Sequence, residues 1–207
     1  MNFTITYAVT ACNEYKELNK LLEHVYEHKR SEDEVVVQVD KDNHTKKVLD
    51  VVKKYSECKL VKFPLNKDFA SFKNNLKSSC SGDYIFQIDA DEIPAVETVK
   101  NLHKIIAENL DIDLFLVPRI NTVPDIDHEH IEKWNWNLNV NGWINWPDYQ
   151  YRIFKNNFTI KWQNKVHEQI IGANTGTQLP ATPEYALIHE KTLKKQVKQN
   201  NFYEKIQ

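Results

Sequence analysis

Two hydrophobic periods alternate over the first part of the chain. Residues 3–11 are β-branched and aromatic and predict a strand. Asn13 then caps a predicted helix over about 14–29, with Leu18, Leu21, Leu22 and Val25 at helical spacing. Residues 34–39 form a near-continuous apolar run, as strands buried on both faces do, and end in the polar turn Asp40-Lys41-Asp42-Asn43. A helix over about 45–56 follows, with Val48, Val51, Val52 and Tyr55 on one face, then a short strand at 59–63. Asp68 to Ser79 predicts a helix with Phe69, Phe72 and Leu76 inside, and Gly82-Asp83 turns the chain into a strand at 84–88. The resulting β-α-β-α-β-α-β order implies a mostly parallel sheet with helices on both faces. The strand ends at Ala11, Asp40 and Asp89 then share one edge, which is the ligand crevice of such sheets.

The pattern changes after a predicted helix at 95–109. A strand is expected at 112–118, followed by a segment rich in Asn, Trp and His that holds Trp134, Trp136, Trp143 and Trp146. Strands are expected at 149–155, 158–163 and 185–189, with 164–183 irregular and an amphipathic, lysine-bearing helix at 190–206. The chain therefore reads as one α/β domain, residues 1–207, in two halves, 1–92 and 93–207. Residues 122–142 form a long connection of the kind that is functional or disordered in compact domains.

The most telling stretch joins these halves. The strand Ile85-Phe86-Gln87-Ile88 runs straight into Asp89-Ala90-Asp91-Glu92. Closely spaced carboxylates at a strand's C-terminal end suit a hard divalent cation that also holds a diphosphate. Taken alone, the same residues equally describe an acidic loop that caps the helix beginning near Pro94.

Composition narrows the choice. The 207 residues are 41% hydrophobic and 27% charged, a globular balance. A net charge of −2 gives no basic footprint for nucleic acid, so no nucleic-acid partner is expected. The three cysteines form no CxxC pair, and they read as reduced thiols of a cytoplasmic protein. No signal peptide and no membrane span is visible. With four glycines, none in GxGxxG or Walker order, a glycine-rich phosphate loop is excluded.

Four blocks carry a resemblance that spans nearly the whole chain. They are Thr10-Ala-Cys-Asn-Glu14 after the first strand; the strand ending at Asp40; Phe69-Ala-Ser-Phe-Lys-Asn-Asn75 with Gly82 through Glu92; and Trp146-Pro-Asp-Tyr-Gln-Tyr-Arg-Ile-Phe-Lys155, followed by Val166-His-Glu168 and His189. In this order they resemble family 2 glycosyltransferases of the GT-A fold, in particular small bacterial members that decorate lipopolysaccharide or capsule. Two positions depart from that family. Strand two ends in Asp-Lys-Asp rather than Asp-Asp-Gly-Ser, and Lys73 replaces an arginine, keeping the charge but not the planar fork.

The resemblance implies a GT-A fold, with a mostly parallel sheet flanked by helices, a smaller mixed acceptor-side sheet and a C-terminal helix. It implies a metal-dependent, inverting transfer of a sugar from a nucleoside-diphosphate sugar, UDP favoured, to a glycan or lipid-linked acceptor. Asp89, Ala90 and Asp91 serve the donor, with Asp89, Asp91 and His189 around Mn²⁺ or Mg²⁺. Glu92 is either a further ligand or a helix cap. Ala11, Asn13 and Glu14 line the base pocket, Glu14 alternatively being a first-turn helix acid. Asp40 holds base or ribose, or simply forms the turn. Lys73 is either a diphosphate partner or a solvated helix lysine. Glu168 beside His167 is the expected base for the acceptor hydroxyl, with Asp148 second. Arg152 holds a phosphate or an acceptor carboxylate, or pairs with an acid. Trp143 and Trp146 are expected to stack on sugar, the other tryptophans to fill core. The tail lysines 191, 194, 195, 198 and 205 either rest on an anionic membrane or ride on a helix packed through Leu193, Val197, Phe202 and Ile206.

Two rival classes share parts of this pattern. A nucleotidyltransferase also uses acidic metal ligands on a parallel sheet, but wants a glycine-rich N-terminal loop where this chain has Thr-Ala-Cys-Asn-Glu. A non-catalytic nucleotide- or sugar-binding module of the same fold stays open.

Overall fold

The computed structural model describes residues 3–204. The first half alternates β1 (Ile5–Ala11), α1 (Tyr15–His28), β2 (Glu34–Asp40), α2 (Lys46–Val52), β3 (Lys59–Phe63), α3 (Phe69–Ser78) and β4 (Tyr84–Asp89). Strands β3, β2, β1 and β4 lie side by side and parallel. Successive side chains point to opposite faces of these strands, and both faces are apolar because both are covered. On one face Tyr7, Val9, Val37, Phe86 and Ile88 meet the buried stripes of α1, α2 and the later α4. On the other, Ala8, Val36 and Ile85 meet Ala70 and Leu76 of α3. Gly82 lets β4 start against β1, since a Cβ there would lie 2.7 Å from both the Thr6 amide nitrogen and hydroxyl oxygen.

The second half adds β5 (Ile93–Pro94), α4 (Val96–Ala107), β6 (Leu114–Val117), β7 (Arg119–Thr122), α5 (His128–Lys133) and β8 (Gln150–Lys155). It ends with β9 (Lys161–Gln163), β10 (Gln169–Ile171), β11 (Gly176–Gln178), a 3₁₀ turn (Pro183–Tyr185), β12 (Leu187–Glu190) and α6 (Leu193–Glu204). Antiparallel β8 extends the large sheet past β4, and β6 and β11 complete it in the order β11-β6-β8-β4-β1-β2-β3. A small mixed sheet, β5-β12-β7, sits beside the C-terminal end of β4, and β9 pairs with β10 against α3. This is the GT-A architecture that the resemblance implied.

Several local expectations change. Asn13 is not the cap of α1; Glu14 occupies that position, and its carboxylate turns back to accept the Cys12 and Asn13 amides at 2.8 and 2.9 Å. Helix α2 stops at Val52, so Tyr55 lies beyond it and stacks on Tyr26 of α1 at 4.6 Å. The strand expected at 112–118 is β6, which ends before Pro118, a residue with no amide for the ladder, and a further strand that was not expected, β7, leaves for the small sheet. Residues 164–183 are not wholly irregular, because β10 and β11 find partners distant in sequence. The expected helix over 190–206 runs within the described residues as Leu193–Glu204; Lys205 and Ile206 lie outside them. No helix among the described residues is long and apolar enough to cross a membrane.

Candidate active site

The parallel strands deliver Ala11, Asp40 and Asp89 to one edge, and the small sheet closes on it from the side. Between them lies a cleft of about 1320 Å³, larger than the roughly 300–1,000 Å³ of ordinary small-molecule sites. It is lined by Ala11 through Glu17, Asp40, Lys73, Asp89 to Asp91, Asp148, Arg152, Trp162, His167, Glu168 and His189. Residues more than a hundred positions apart in the sequence thus meet at one place.

Its floor is a ladder of ion pairs. Asp148 Oδ2 accepts Arg119 Nε and Nη2 at 2.9 and 2.8 Å. Arg119 Nη1 donates to Glu92 Oε1 at 2.9 Å, and Arg152 Nη2 donates to the same oxygen at 2.6 Å. Arg152 Nη2 also donates to Asp89 Oδ2 at 2.8 Å, and the Thr10 hydroxyl donates to Asp89 Oδ1 at 2.7 Å. Glu92 is completely buried and Arg152 nearly so, a placement that charged groups tolerate only when paired. Burial raises the Asp89 pKa, but the charges of Lys73 and Arg152 outweigh it and hold the carboxyl far below the usual range. Glu92 is therefore neither a helix cap nor a cleft-facing acid; α4 begins at Val96, and its N-cap, Ala95, offers no side-chain cap. Of the alternatives for Arg152, pairing with acids is the one observed.

Asp91 stands outside this ladder. His189 Nε2 lies 3.5 Å and Lys191 Nζ 3.6 Å from its Oδ2. Asn121 of β7 orients the histidine. Its Nδ2 donates to Asp148 Oδ2 at 2.5 Å, so its Oδ1 faces His189 Nδ1 at 2.7 Å. A carboxylate only accepts, so the amide orientation is set, and the imidazole carries a proton on Nδ1. In the neutral ring the Nε2 lone pair then faces the Asp91 carboxylate. Burial raises the Asp91 pKa, yet a hydrogen bond from His189 in its charged form, together with the Lys191 and His189 charges, brings it down to about 2. Among the described residues no three His, Cys, Asp or Glu side chains are grouped to hold a metal by themselves. Asp91 and His189 have the donor chemistry to supply two ligands to a divalent ion.

The opposite wall carries Glu168. Lys73 on the inner face of α3 is buried, not solvated, and its Nζ donates to Glu168 Oε1 at 2.5 Å while lying 4.5 Å above the Trp162 ring. Asn74 holds that ring in place: its Nδ2 donates to the Trp162 carbonyl at 2.8 Å and its Oδ1 accepts the Trp162 amide at 2.9 Å. His167 adopts the left-handed backbone (φ 52°) at the turn into Glu168. Asp148, also in the cleft, has its second oxygen engaged by Gln150 at 2.9 Å. Asp40 lines the cleft, but its oxygens accept from the Asp42 amide, the Leu65 amide and the Asn43 side chain at 3.1, 3.3 and 2.7 Å.

Not every expected residue reaches the cleft. Trp143 and Trp146 pack edge to face on each other at 4.9 Å and are absent from its lining; Trp136 and Trp162 are the tryptophans there. Arg119, Asn121 and Lys191 were missed. Lys191 had a legible signal, since two residues after His189 on an extended chain share a side. Arg119 and Asn121 had none until β7 was seen to swing into the small sheet.

The sequence profile described as glycosyl transferase family 2 matches residues 6–173. Among curated proteins, none matches the chain. Among solved structures it is similar to S. aureus TarS 1–349 in complex with UDP-GlcNAc, at 19% identity and a TM-score of 0.63, covering 92% of this chain and 59% of that one. The same TarS fragment in complex with UDP gives 16% identity and a TM-score of 0.63, over 92% and 61% of the two chains. The chain thus spans about 60% of the length of these TarS structures. At this identity they show the shared fold. The family match extends over most of the residues that build the cleft, from Thr10 to Glu168, and by that match the chain belongs to glycosyl transferase family 2.

Proposed function

We propose that the protein is a metal-dependent, inverting glycosyltransferase that moves a sugar from a nucleoside-diphosphate sugar, UDP favoured, to a hydroxyl of a glycan or lipid-linked acceptor. The observation that carries this reading is the Asp91–His189 pair at 3.5 Å, beside the end of β4 and in one cleft with Glu168. A carboxylate and an imidazole nitrogen on one side of the cleft are donors of the kind that would hold a divalent cation. The mixed oxygen and nitrogen set favours Mn²⁺ over Mg²⁺, which prefers all-oxygen shells. When bound, such an ion neutralises the diphosphate leaving group.

The residues divide the remaining work. Ala11, Asn13 and the loop that Glu14 braces take the base, with Asp40 shaping the adjoining turn. Asp89 and Ala90 border the sugar. Glu168 takes the proton of the acceptor hydroxyl as its oxygen bonds to the anomeric carbon. The bond from that carbon to the diphosphate oxygen breaks, and its electron pair leaves with the nucleoside diphosphate. Glu168 suits the role better than Asp148, because Glu168 has one protein donor among the described residues whereas both oxygens of Asp148 are occupied. Lys73 steers that carboxylate, and Trp162 offers a flat face beside it.

Calorimetric titration with UDP, GDP, CDP and dTDP, with and without Mn²⁺, tests the reading. UDP binding that needs Mn²⁺ and disappears in Asp91→Ala is the expected result; no binding of any nucleoside diphosphate rejects it. Glu168→Gln should cut turnover by about 10²–10⁴-fold while UDP still binds; unchanged turnover removes Glu168 from the reaction.

A further inference from the structure

The cleft's cations are unequally available. Arg119 and Arg152 are spent on the buried ladder, and Lys73 on Glu168. No glycine-rich loop supplies amide donors for phosphates. Apart from Lys16 of α1, the other lysines lining the cleft all come from the C-terminal segment: Lys191, Lys195 and Lys198.

That segment is fastened by polar contacts. The Lys191 amide donates to the Thr122 carbonyl at 2.9 Å, and the Leu193 amide to Asp125 Oδ1 at 2.8 Å. From there α6 crosses the cleft mouth to α1, where the Lys195 ammonium pairs with Glu17. Lys198 is one turn further, and its positive charge acts on Cys12 in the β1–α1 loop. The three lysines therefore track from Asp91, the proposed metal ligand, to the proposed base pocket. Lys194 is exposed and absent from the lining. Lys191 Nζ donates to Gln199 Oε1 at 2.6 Å and lies 3.6 Å from the Asp91 carboxylate, and Lys195 pairs with Glu17 while also feeling the charges of Asp91 and Glu14. A carboxylate partner exchanges readily for a phosphate oxygen, which offers the same charge-assisted geometry.

We infer that Lys191, Lys195 and Lys198 form a diphosphate-binding wall, in which donor phosphates replace Asp91 and Glu17 as partners of Lys191 and Lys195 and so draw α6 onto the bound nucleotide. The inference rests on the nucleotide-sugar reading. It assigns the tail lysines to the donor rather than to a membrane surface.

Opposite signs test it. In titrations with UDP and Mn²⁺, Lys195→Ala/Lys198→Ala should weaken binding by about 10–100-fold, with Lys194→Ala unchanged. Glu17→Gln should strengthen binding several-fold, because it frees Lys195 and removes a negative charge from the wall. Were the Lys195–Glu17 pair only a structural staple, both changes would weaken binding. A double variant that binds UDP like the wild type, or a Glu17→Gln protein that binds it less tightly, overturns the wall and leaves the nucleotide-sugar reading standing. A wild-type protein that binds no nucleoside diphosphate overturns both.

Discussion

Glu92 and Asp91 are neighbours in sequence with opposite surroundings. Glu92 is fully buried and accepts from two guanidinium groups, Arg119 and Arg152, at 2.9 and 2.6 Å. Removing its charge takes from each arginine one of its two carboxylate partners, and leaves Arg119 with Asp148 and Arg152 with Asp89 in a largely buried ladder. Glu92→Gln should therefore destabilise the fold by about 3–5 kcal/mol, read as a lowered urea midpoint. Asp91 faces the cleft, and its effect is on pH dependence. Its folded pKa of about 2 lies below the ordinary aspartate value of 3.8, so its contribution is complete above the unfolded value and is lost as pH falls through the folded one. In metal-free protein this amounts to about 2 kcal/mol. Asp91→Asn should accordingly flatten the stability profile between about pH 4 and pH 2, measured by denaturation at stepped pH.

At the scale of elements, the site depends on where β7 goes. Pro118 ends β6, and the next four residues pair with β12 instead, with Asn121 opposite His189 in the register. That pairing lets one amide link Asp148 to His189. Asn121→Ala breaks the link and frees the imidazole to choose its tautomer. The expected loss is about 10–100-fold in Mn²⁺-dependent UDP affinity, with little change in UDP affinity measured without metal. An equal loss under both conditions would instead make Asn121 a general support of the cleft.

Over the whole molecule, the cleft is built from both halves, and neither half completes it. On the proposed reading, in which Asp91 and His189 supply an ion's two protein ligands, metal and donor complete each other's sites. Mn²⁺ alone should barely raise the thermal midpoint, UDP alone little more, and the two together at about 100 Kd by about 2.7 kcal/mol, or several degrees for a chain of this size. Differential scanning fluorimetry with each component and with both reads this directly. Additive shifts would mean that the sites are independent.

Much of this is legible in the sequence. Local periodicity placed β1 through β4 and the helices between them, because those strands are buried on both faces and the helices on one, so burial writes itself into the spacing of Val, Ile and Leu. Asp89 and Asp91 stand out by residue type at the end of a strand, and Lys73, Glu168 and His189 through the family resemblance. What sequence leaves undetermined is pairing. Whether Glu92 faced the cleft or the core depended on two arginines 27 and 60 positions away. Lys73 reads equally as a diphosphate partner or a solvated helix lysine until Glu168, 95 residues later, is brought against it. The short strands β7, β10 and β11 carry too few residues to show a period, and they exist because distant partners supply their hydrogen bonds. Sequence alone thus determined the parallel core and the carboxylates at its edge, since both follow from side-chain type at local spacing. The tertiary structure decided which charges are buried in pairs and which face the cleft, since that depends on contacts between residues far apart in the chain.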